Sequence, residues 1–343
     1  MARPATAGAA RLGGRRVTQR RVLVTGATGL VGRALVASLL ADDQPVRILT
    51  RGSRALPPAW IQRVEVCAGD LTRPDTLAAA VDGCGGLYHL AGELRDEARV
   101  HAVNADGTGH LLEAARHAGL SHVVHMSSVG VMGIERPGPV DETTDGAPQN
   151  AYERSKREGE QLAQSWSAST GVPVAVLRPT IVFGVREGGG PDSFLALLRA
   201  IASGRFLFVG RGAAANYVYV DDVVAAARAA AARVAAATMI VADPAPLTDF
   251  VAAAAEALDV PPPRRAMPRP LAFATAVALE AVGALAGRPV PLTRARVRAL
   301  STRTVFRSTR IEAVLGWRPV IGFREGLRRT VDGYRGTGQL PPP

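Results

Sequence analysis

Tyr152 and Lys156 are the residues whose types and spacing point most directly to chemistry. Of the 41 basic residues in the chain, 40 are Arg and one, Lys156, is Lys. It lies four residues after Tyr152, a spacing that places both side chains on one face of a helix. An ammonium near a phenol favours the phenolate and lowers the pKa of the phenol. We therefore expect Tyr152 to exchange a proton with a carbonyl or alcohol oxygen, assisted by Lys156.

Ser128 is the third candidate catalytic residue. It follows the apolar segment 122–127, which is typical of a buried strand. Ligands of open parallel sheets bind at the carboxyl ends of the strands. We expect the Ser128 hydroxyl at such an end, where it can hydrogen-bond the same substrate oxygen as Tyr152.

A glycine-rich turn is expected to hold a dinucleotide. Residues 25–32 have the sequence TGATGLVG and connect a predicted strand to a predicted helix, the context that makes this motif specific. Gly26, Gly29 and Gly32 allow a tight turn, close approach of a pyrophosphate and close packing of helix on sheet. The N-terminal end of the helix would present N–H groups to the phosphates.

Arginines at the end of the second predicted strand favour NADP(H) as the cofactor. NAD-binding folds place an acid there for the ribose hydroxyls, but this chain has Thr50 followed by Arg51 and Arg54. A guanidinium can hold a 2′-phosphate through bidentate, charge-assisted hydrogen bonds. Arg33, in the first turn of the first helix, is a further candidate. NAD(H) is the alternative, and no metal site is expected.

Short β-branched segments alternate with helical patterns from residue 21 onward. This alternation predicts an α/β fold, a Rossmann-type doubly wound parallel sheet with helices on both faces. The predicted strands are 21–25, 46–50, 64–67, 86–90, 122–127, 174–178, 216–220 and 238–242. The predicted helices are 30–41, 74–81, 100–117, 151–169, 192–203, 221–237 and 249–258, the last capped by Thr248.

These elements predict two lobes after a basic leader. Residues 1–20 have no apolar periodicity and are expected to form a disordered leader. We assign residues 21–184 plus 216–243 to the dinucleotide-binding domain. Residues 185–215, which begin with a glycine-rich loop over 187–191, form a smaller, discontinuous substrate lobe together with residues 244–335. Residues 336–343 are a tail.

Composition limits the remaining classes of function. The chain has 343 residues, 47% hydrophobic and 21% charged, as in globular proteins. Cys67 and Cys84 are too few for a disulfide framework; we expect both to be buried thiols in a cytoplasmic protein. The apolar segment 271–287 contains Glu280 and is too short to span a bilayer. Its packing in a core is favoured over contact with a membrane surface.

The formal net charge of +11 is concentrated at the two ends of the chain. Residues 264–343 hold 15 Arg against four acids, and residues 1–20 hold five Arg and no acid. Aromatic residues are not interleaved with these arginines and no nucleic-acid motif is present. A solvated, Arg-rich surface is therefore favoured over a nucleic-acid partner, and the expected partner is a small-molecule substrate.

The motifs of the chain, taken together, resemble those of the extended short-chain dehydrogenase/reductase superfamily (the NAD-dependent epimerase/dehydratase family). The resemblance covers about residues 20–335 and is strongest to the 3β-hydroxysteroid dehydrogenase and dihydroflavonol-reductase-like branches. It is carried, in order, by TGATGLVG at 25–32, GDL at 69–71, HLAG at 89–92, VNADGT at 103–108, MSS at 126–128, YERSK at 152–156, LRPTIVFG at 177–184 and LGWRP at 315–319.

The resemblance implies a role for each matching residue. The glycines of the first motif would line the pyrophosphate, and Asp70 and Leu71 would flank the adenine. Ala91 and Gly92 would pass under the ribose, while Pro179 and Ile181 would contact the carboxamide. Lys156 would also hold the nicotinamide ribose. The candidate catalytic residues are Ser128, Tyr152, Lys156 and Asn104, the last supporting the catalytic helix. The candidate cofactor-binding residues are Gly26, Thr28, Gly29, Leu30, Val31, Gly32, Arg51, Arg54, Asp70, Leu71, Leu90, Ala91, Gly92, Ser127, Tyr152, Lys156, Pro179 and Ile181.

Departures from the sequence pattern of this family limit the types of reaction that the protein is expected to catalyse. Val129 and Gly130 follow Ser128 where the dehydratases have an Asp-Glu pair, which disfavours elimination of water. The absence of an acid after the second strand argues against the sugar epimerases. The leading hypothesis is carbonyl reduction or alcohol oxidation on a fairly large apolar substrate, such as a steroid, terpenoid, polyketide or β-keto acyl compound. The apolar segments 194–208 and 266–285 are expected to form its pocket or the core of the lobe.

Two alternatives stay open. One is a nucleotide-sugar epimerase or reductase in which C-terminal arginines hold a diphosphate. The other is a nonenzymatic NADPH-binding sensor, since a fold does not guarantee a function. Relatives of this kind often pair through the helix that carries the tyrosine, so a homodimer is a further expectation.

Overall fold

The computed structural model describes residues 20–342, except for Ile134, Pro137, 187–191, 288–289 and 291. The predicted leader, apart from residue 20, and the predicted glycine-rich loop over 187–191 lie outside the described residues.

Strands and helices alternate along the described chain. The strands are β1 (Val22–Thr25), β2 (Val46–Thr50), β3 (Val64–Ala68), β4 (Gly86–His89), β5 (His122–Met126), β6 (Pro139–Val140), β7 (Val174–Pro179), β8 (Ile181–Phe183), β9 (Phe208–Val209), β10 (Ala214–Tyr219), β11 (Thr238–Val241), β12 (Asp243–Pro246), β13 (Ala266–Met267) and β14 (Val305–Phe306). The α-helices are α1 (Leu30–Ala41), α2 (Ala78–Val81), α3 (Glu97–His101), α4 (Gly107–Ala114), α5 (Ala151–Thr170), α6 (Ser193–Ala202), α7 (Val220–Ala232), α8 (Leu247–Leu258), α9 (Arg269–Ala286), α10 (Arg294–Ser301), α11 (Thr309–Leu315) and α12 (Gly322–Gly336).

The central sheet confirms the predicted fold class. Seven parallel strands lie in the order β3-β2-β1-β4-β5-β7-β11. The central strand β1 is buried on both faces: Val22 and Val24 pack in a core that includes residues of α1, α7 and α11. Leu23 points the other way, into a core that includes residues of α2, α4 and α5. A strand buried on both faces needs a continuous apolar sequence, as in Val22-Leu23-Val24.

A second set of elements lies beside the sheet. β10 pairs with β8 in parallel and with β12 in antiparallel orientation, while α7 packs on α1 and β11 extends the main sheet. The aromatic rings of Phe183, Phe194 and Phe250 pack together in the core of this region, with centroids of Phe183 and Phe194 4.8 Å apart. Phe194 of the predicted pocket segment is therefore a core residue.

The buried carboxylate of Asp222, on α7, holds the C-terminal segment. Its Oδ1 accepts hydrogen bonds from the backbone N–H of Val320 (2.8 Å) and Ile321 (3.0 Å), and its Oδ2 from that of Gly322 (2.9 Å). The side chain of Trp317 donates to the Asp222 carbonyl oxygen at 3.2 Å. These bonds fix the start of α12 against α7.

Several local predictions were wrong. The helix predicted over 100–117 is divided into α3, a π-helical turn over Ala102–Asp106 and α4. The segment predicted as one helix over 74–81 is a 3₁₀ turn, Pro74–Thr76, followed by α2. Thr248 does not cap α8, because the helix already begins at Leu247 after Pro246 and the Thr248 hydroxyl bonds to Asp249. Cys84 is buried as expected, but Cys67 is half-buried.

The predicted apolar segment 271–287 forms most of α9, packed on one side only. Ala272 and Ala276 are buried, whereas Leu271, Val277 and Val282 are exposed. In the part of the chain that the structure describes, no helix combines the length and the apolarity needed to cross a bilayer. Contact of α9 with a membrane surface stays a prediction.

Candidate active site

The glycine turn lies between β1 and α1 and is held against the end of β4. Gly26 has a φ of +70° and its carbonyl oxygen accepts from the Gly29 N–H at 2.9 Å. A Cβ at Gly26 would lie 2.6 Å from the backbone nitrogen of Ala91, and one at Gly32 only 2.1 Å from the Gly26 oxygen. Only glycine therefore fits these two positions without a shift of the backbone.

The N-terminal end of α1 fits a pyrophosphate. Gly29 is its N-cap residue, no side chain caps the helix, and its first turn contains no acid. The first N–H groups of a helix have no partner within the helix and carry its positive dipole end. The candidate residues Thr28, Leu30 and Val31 lie on this turn, half-buried. The turn therefore offers the donors and the charge that a dinucleotide pyrophosphate needs.

Arg51, which follows β2, and Arg99, on α3, lie beside one acid, Asp70, which follows β3. Arg51 Nη1 lies 4.0 Å and Arg99 Nη2 3.8 Å from Asp70 Oδ2. Although partial burial opposes it, hydrogen bonds from Thr72 and the two guanidinium groups lower the pKa of Asp70. Two guanidinium groups therefore share one carboxylate at this edge of the sheet, and Arg54 is exposed. Arg33 is half-buried on α1.

The segment after β4 packs onto the glycine turn. The Leu90 N–H donates to the Thr25 carbonyl at 3.3 Å, and the Ala91 N–H donates to Thr25 Oγ1 at 3.2 Å. A Cβ at Gly92 would lie 3.3 Å from Asn104 Oδ1. Leu71 is buried against α4, since a Cβ at Gly107 would lie 2.8 Å from the Leu71 Cβ.

Ser128 and Tyr152 meet at the carboxyl end of β5. Ser128 begins the 3₁₀ turn Val129–Met132 and accepts a hydrogen bond from the Gly130 N–H at 3.1 Å. Tyr152 lies in the first turn of α5, and its side chain lies close enough to the Ser128 hydroxyl for that group to affect its pKa. The structure thus brings together two hydroxyl groups that the sequence separates by 24 residues.

The first turn of α5 is fixed by a reciprocal pair of caps. Asn150 Oδ1 accepts from the Glu153 N–H at 2.9 Å, and Glu153 Oε2 accepts from the Gln149 N–H at 2.6 Å. Such caps satisfy N–H groups that the helix leaves unpaired. Tyr152 lies between the two capping side chains, so its backbone position is set locally.

Lys156 lies one turn further along α5 and is almost fully buried. Its Nζ donates to the carbonyl oxygen of Met126, the last residue of β5, at 2.5 Å. Burial lowers its pKa to about 8, against a smaller opposing effect of the Glu160 carboxylate. The ammonium therefore lies under the strand end that carries Ser128.

The expected depression of the Tyr152 pKa is absent. Burial raises the pKa of the Tyr152 phenol, and the neighbouring Ser128 hydroxyl opposes this only in part. Lys156 does not contribute, because its Nζ is directed to the backbone of β5. Tyr152 is therefore protonated at neutral pH in this state of the protein.

Asn104 connects the catalytic helix to the segment after β4. Its Nδ2 donates to Ser155 Oγ (3.0 Å) and to the Glu93 carbonyl (2.9 Å), and its Oδ1 accepts from the Glu93 N–H at 2.8 Å. All three bonds are made from the π-helical turn, which directs this side chain inward. Asn104 therefore positions α5 relative to the segment after β4. None of these three hydrogen bonds involves the side chain of Tyr152.

A buried chain of hydrogen bonds, missed in the sequence, continues from Asn104. Its carbonyl accepts from Thr108 Oγ1 (2.7 Å), which bonds His89 Nε2 (2.9 Å), and His89 Nδ1 bonds Thr25 Oγ1 (2.7 Å). Burial lowers the pKa of His89 to about 3, with Lys156 adding to the effect, so the ring is neutral. His89 and Thr108 lie within the HLAG and VNADGT motifs. These motifs are the sequence signal that could have indicated a role for both residues.

Three further candidates have less defined positions. The Ser127 hydroxyl is buried and has no hydrogen-bond partner among the described atoms. Pro179 is buried at the end of β7, and Ile181, the first residue of β8, is 50% exposed. Among the described atoms, no hydrogen bond joins these three residues to Ser128 or Tyr152, and their roles stay predictions. No cluster of three or more metal-ligating side chains occurs among the residues that can be described.

Known proteins resemble the chain over most of its length. It is 28% identical over 323 residues to an N-acetyl-α-D-glucosaminyl-diphospho-ditrans,octacis-undecaprenol 4-epimerase of Escherichia coli O157:H7, covering 90% of this chain and 94% of that protein. It is 25% identical over 355 residues to 3β-hydroxysteroid-dehydrogenase/decarboxylase isoform 1 of Arabidopsis thaliana, covering 92% and 80%.

Solved structures share the fold. The structure of gox2253 has a TM-score of 0.76 at 26% identity, covering 94% of this chain and all of that chain. MoeE5 in complex with UDP-glucose and NAD has a TM-score of 0.72 at 25% identity, covering 92% and 99%. RMD from Pseudomonas aeruginosa, complexed with NADPH, has a TM-score of 0.67 at 24% identity, covering 93% and 100%.

The sequence model of the NAD dependent epimerase/dehydratase family matches residues 22–241, which include the glycine turn, Ser128, Tyr152 and Lys156. This match covers more than half of the chain. The chain therefore belongs to the NAD dependent epimerase/dehydratase family, the extended short-chain dehydrogenases/reductases, and is an NAD(P)-dependent oxidoreductase.

Proposed function

We propose that the protein is an NADP(H)-dependent oxidoreductase that reduces a carbonyl, or oxidises the corresponding alcohol, on a fairly large apolar substrate. The placement of Tyr152 beside Ser128 at the carboxyl end of β5, with Lys156 one helical turn further along α5, is the observation that carries this proposal. When bound, the nicotinamide exchanges a hydride with the substrate carbon. Side chains of the protein provide the proton and orient the substrate oxygen.

Tyr152 supplies the proton in the reductive direction. Its raised pKa keeps the phenol protonated at neutral pH, so it can donate to a carbonyl oxygen that gains negative charge. Ser128 Oγ, which lies beside the phenol, can donate a second hydrogen bond to the same oxygen. Lys156, charged below a pKa of about 8, holds the Met126 carbonyl at the end of β5 and, as the family resemblance implies, would hold the nicotinamide ribose when the cofactor is bound.

The basic group after β2 supports NADP(H) rather than NAD(H). Arg51 and Arg99 share the carboxylate of Asp70, and the exposed Arg54 follows Arg51 by three residues in sequence, which leaves net positive charge for a 2′-phosphate. Replacing Arg51 by Gln is expected to weaken NADPH binding about 10- to 100-fold and NADH binding less than about threefold. Arg73→Gln, an exposed arginine paired with Asp75, is the matched control. Equal wild-type affinity for both cofactors would refute the role of Arg51.

The apolar substrate class draws support from the relative in Arabidopsis thaliana, which is named a steroid dehydrogenase. To test this, the protein is incubated with NADPH and each of a panel of steroid, terpenoid and β-keto acyl carbonyl compounds. The loss of NADPH absorbance measures the reaction. We expect one NADPH consumed for each carbonyl reduced. Conversion of one sugar epimer into another without net NADPH consumption would contradict the proposal.

A second candidate is epimerisation or reduction of a sugar linked to a diphosphate. The Escherichia coli relative is named for such a substrate. The structure has a cavity whose lining includes Glu135, Arg136, Arg211, Arg269 and Arg303. The panel above therefore includes a UDP-sugar, assayed both for epimerisation and for NADPH consumption.

A further inference from the structure

A buried ion pair joins the catalytic helix to the sheet. Glu160 lies on α5, one turn after Lys156, and is 2% exposed, while Arg178 lies on β7. Arg178 Nε donates to Glu160 Oε1 at 2.9 Å, and Arg178 Nη2 donates to Glu160 Oε2 at 2.6 Å. The pair is therefore bidentate, a geometry that fixes the orientation of the two groups as well as their distance.

The same guanidinium group reaches the turn that carries Ser128. Arg178 Nη1 lies 2.9 Å from the Sδ of Met132, the last residue of the 3₁₀ turn that Ser128 begins. Met132 is buried, and the Arg178 side chain is 13% exposed. One side chain of β7 therefore contacts both α5 and the end of the Ser128 turn.

The candidate catalytic hydroxyl groups lie on the two elements that this guanidinium connects. Tyr152 belongs to α5, and Ser128 belongs to the turn after β5. The start of that turn packs on the first turn of α5, since a Cβ at Gly130 would lie 3.0 Å from Glu153 Cγ. Arg178 holds the other end of the turn. The separation of the two hydroxyl groups therefore depends on how the turn is held at both of its ends.

The energetics of buried ion pairs argue for a role of this pair beyond stability. Taking a guanidinium and a carboxylate out of water costs about as much free energy as their attraction returns. An apolar pair of similar size therefore often gives an equally stable fold, whereas removal of one partner leaves a buried charge uncompensated. Replacing both Glu160 and Arg178 by Met thus separates the contribution of the pair to stability from its contribution to the site.

We propose that Glu160 and Arg178 are positioning residues of the active site, which hold the Ser128 turn in a fixed place relative to Tyr152 on α5. This inference rests on the proposed function where it concerns the rate of carbonyl reduction. A substrate oxygen that accepts hydrogen bonds from both hydroxyl groups needs them at a fixed separation. A displacement of about 1 Å caused by a distant substitution can lower a rate about 100-fold.

Two variants of the full chain test this proposal. Glu160→Met with Arg178→Met removes the ion pair, and its urea midpoint is expected to be no lower than that of the wild type. Arg178→Lys keeps both charges, but a single ammonium cannot form the bidentate pair and also contact Met132. Because the Glu160 carboxylate raises the pKa of Lys156, the variant that keeps Glu160 separates an effect of geometry from an effect of charge.

Hydrogen–deuterium exchange of the backbone N–H groups in residues 129–133 measures the order of the turn without a substrate. In the wild type, N–H groups of this segment donate to Ser128 and to the Gly130 carbonyl. We expect them to exchange at least about tenfold faster in both variants. The control, Glu113→Met with Arg116→Met, removes a surface ion pair at the end of α4 and should leave this exchange within about twofold of the wild type.

The second readout is the rate of reduction of a carbonyl compound that the substrate panel identifies. We expect kcat to fall about 10- to 100-fold in both variants while KM stays within about threefold, because the lost interaction is made mainly in the transition state. Exchange of the turn that is equal in the variants and the control would overturn the positioning role, whatever the activity. A wild type that reduces no carbonyl would refute the proposed function alone, since the exchange experiment still reports how the turn is held.

Discussion

Replacing Lys156 by Met is expected to stabilise the fold while it removes activity. Burial lowers the pKa of Lys156 from 10.5 to about 8. At 1.36 kcal/mol for each pKa unit, keeping this ammonium charged in the native state costs about 3 kcal/mol at pH 7. The Met variant avoids that cost but leaves the Met126 carbonyl without its side-chain donor, which costs about 1 kcal/mol. The expected net gain in the free energy of unfolding is about 2 kcal/mol.

The pH dependence of the free energy of unfolding distinguishes the cost of the buried charge from a change in packing. Between about pH 8 and 10.5 the unfolded chain keeps the Lys156 proton while the native protein has released it. The wild-type free energy of unfolding therefore gains a contribution that rises with pH across this window, and the Met variant lacks it. The advantage of the variant at pH 7 should disappear by about pH 10.

Urea unfolding of both proteins at pH 7 and pH 10, followed by tryptophan fluorescence, measures this difference. Arg154→Met removes the same charge from an exposed position two residues earlier on α5 and should leave the wild-type pH dependence unchanged. If the difference between wild type and Lys156→Met were the same at both pH values, the buried ammonium would not titrate as described.

Two further substitutions test how the site is positioned. Gly32→Ala would place a Cβ 2.1 Å from the Gly26 oxygen and should weaken NADPH binding at least about tenfold in a fluorescence titration, whereas Gly109→Ala, where a Cβ would meet only Leu162 Cδ1 at 3.6 Å, should not. Similar affinities of the two variants would show that the turn tolerates a side chain. Asp222→Asn should lower the free energy of unfolding by about 2 kcal/mol in urea, because an amide nitrogen replaces one of the two carboxylate oxygens and cannot accept the N–H that this oxygen accepts. The neighbouring Asp221→Asn should have little effect. Equal losses in these two variants would contradict the role of the buried carboxylate.

The parallel sheet and the catalytic residues could be predicted because both leave local signals. Apolar strands buried on both faces and the glycine turn are visible in single segments such as Val22-Leu23-Val24 and TGATGLVG. Lys156 was visible because the chain otherwise uses Arg for every basic residue. The i, i+4 spacing correctly placed Tyr152 and Lys156 on one helix.

The rest depends on contacts between distant segments. The spacing could not show that Lys156 Nζ turns to the backbone of β5, so the expected effect on the Tyr152 pKa was wrong. Helical periodicity does not distinguish a π turn from an α-helix, and the inward direction of Asn104 follows from that turn. The arginines of the cavity are indistinguishable by sequence from those on the surface, because only their partners differ.

The central claim, that Tyr152 donates the proton when the carbonyl is reduced, is tested most directly in a single turnover. Wild-type and Tyr152→Phe protein, each saturated with NADPH, are mixed rapidly with a carbonyl compound that the substrate panel identifies. We expect NADPH affinity within twofold of the wild type and a rate of NADPH oxidation lower by about 100- to 10,000-fold. A Tyr152→Phe rate within tenfold of the wild type would contradict the account.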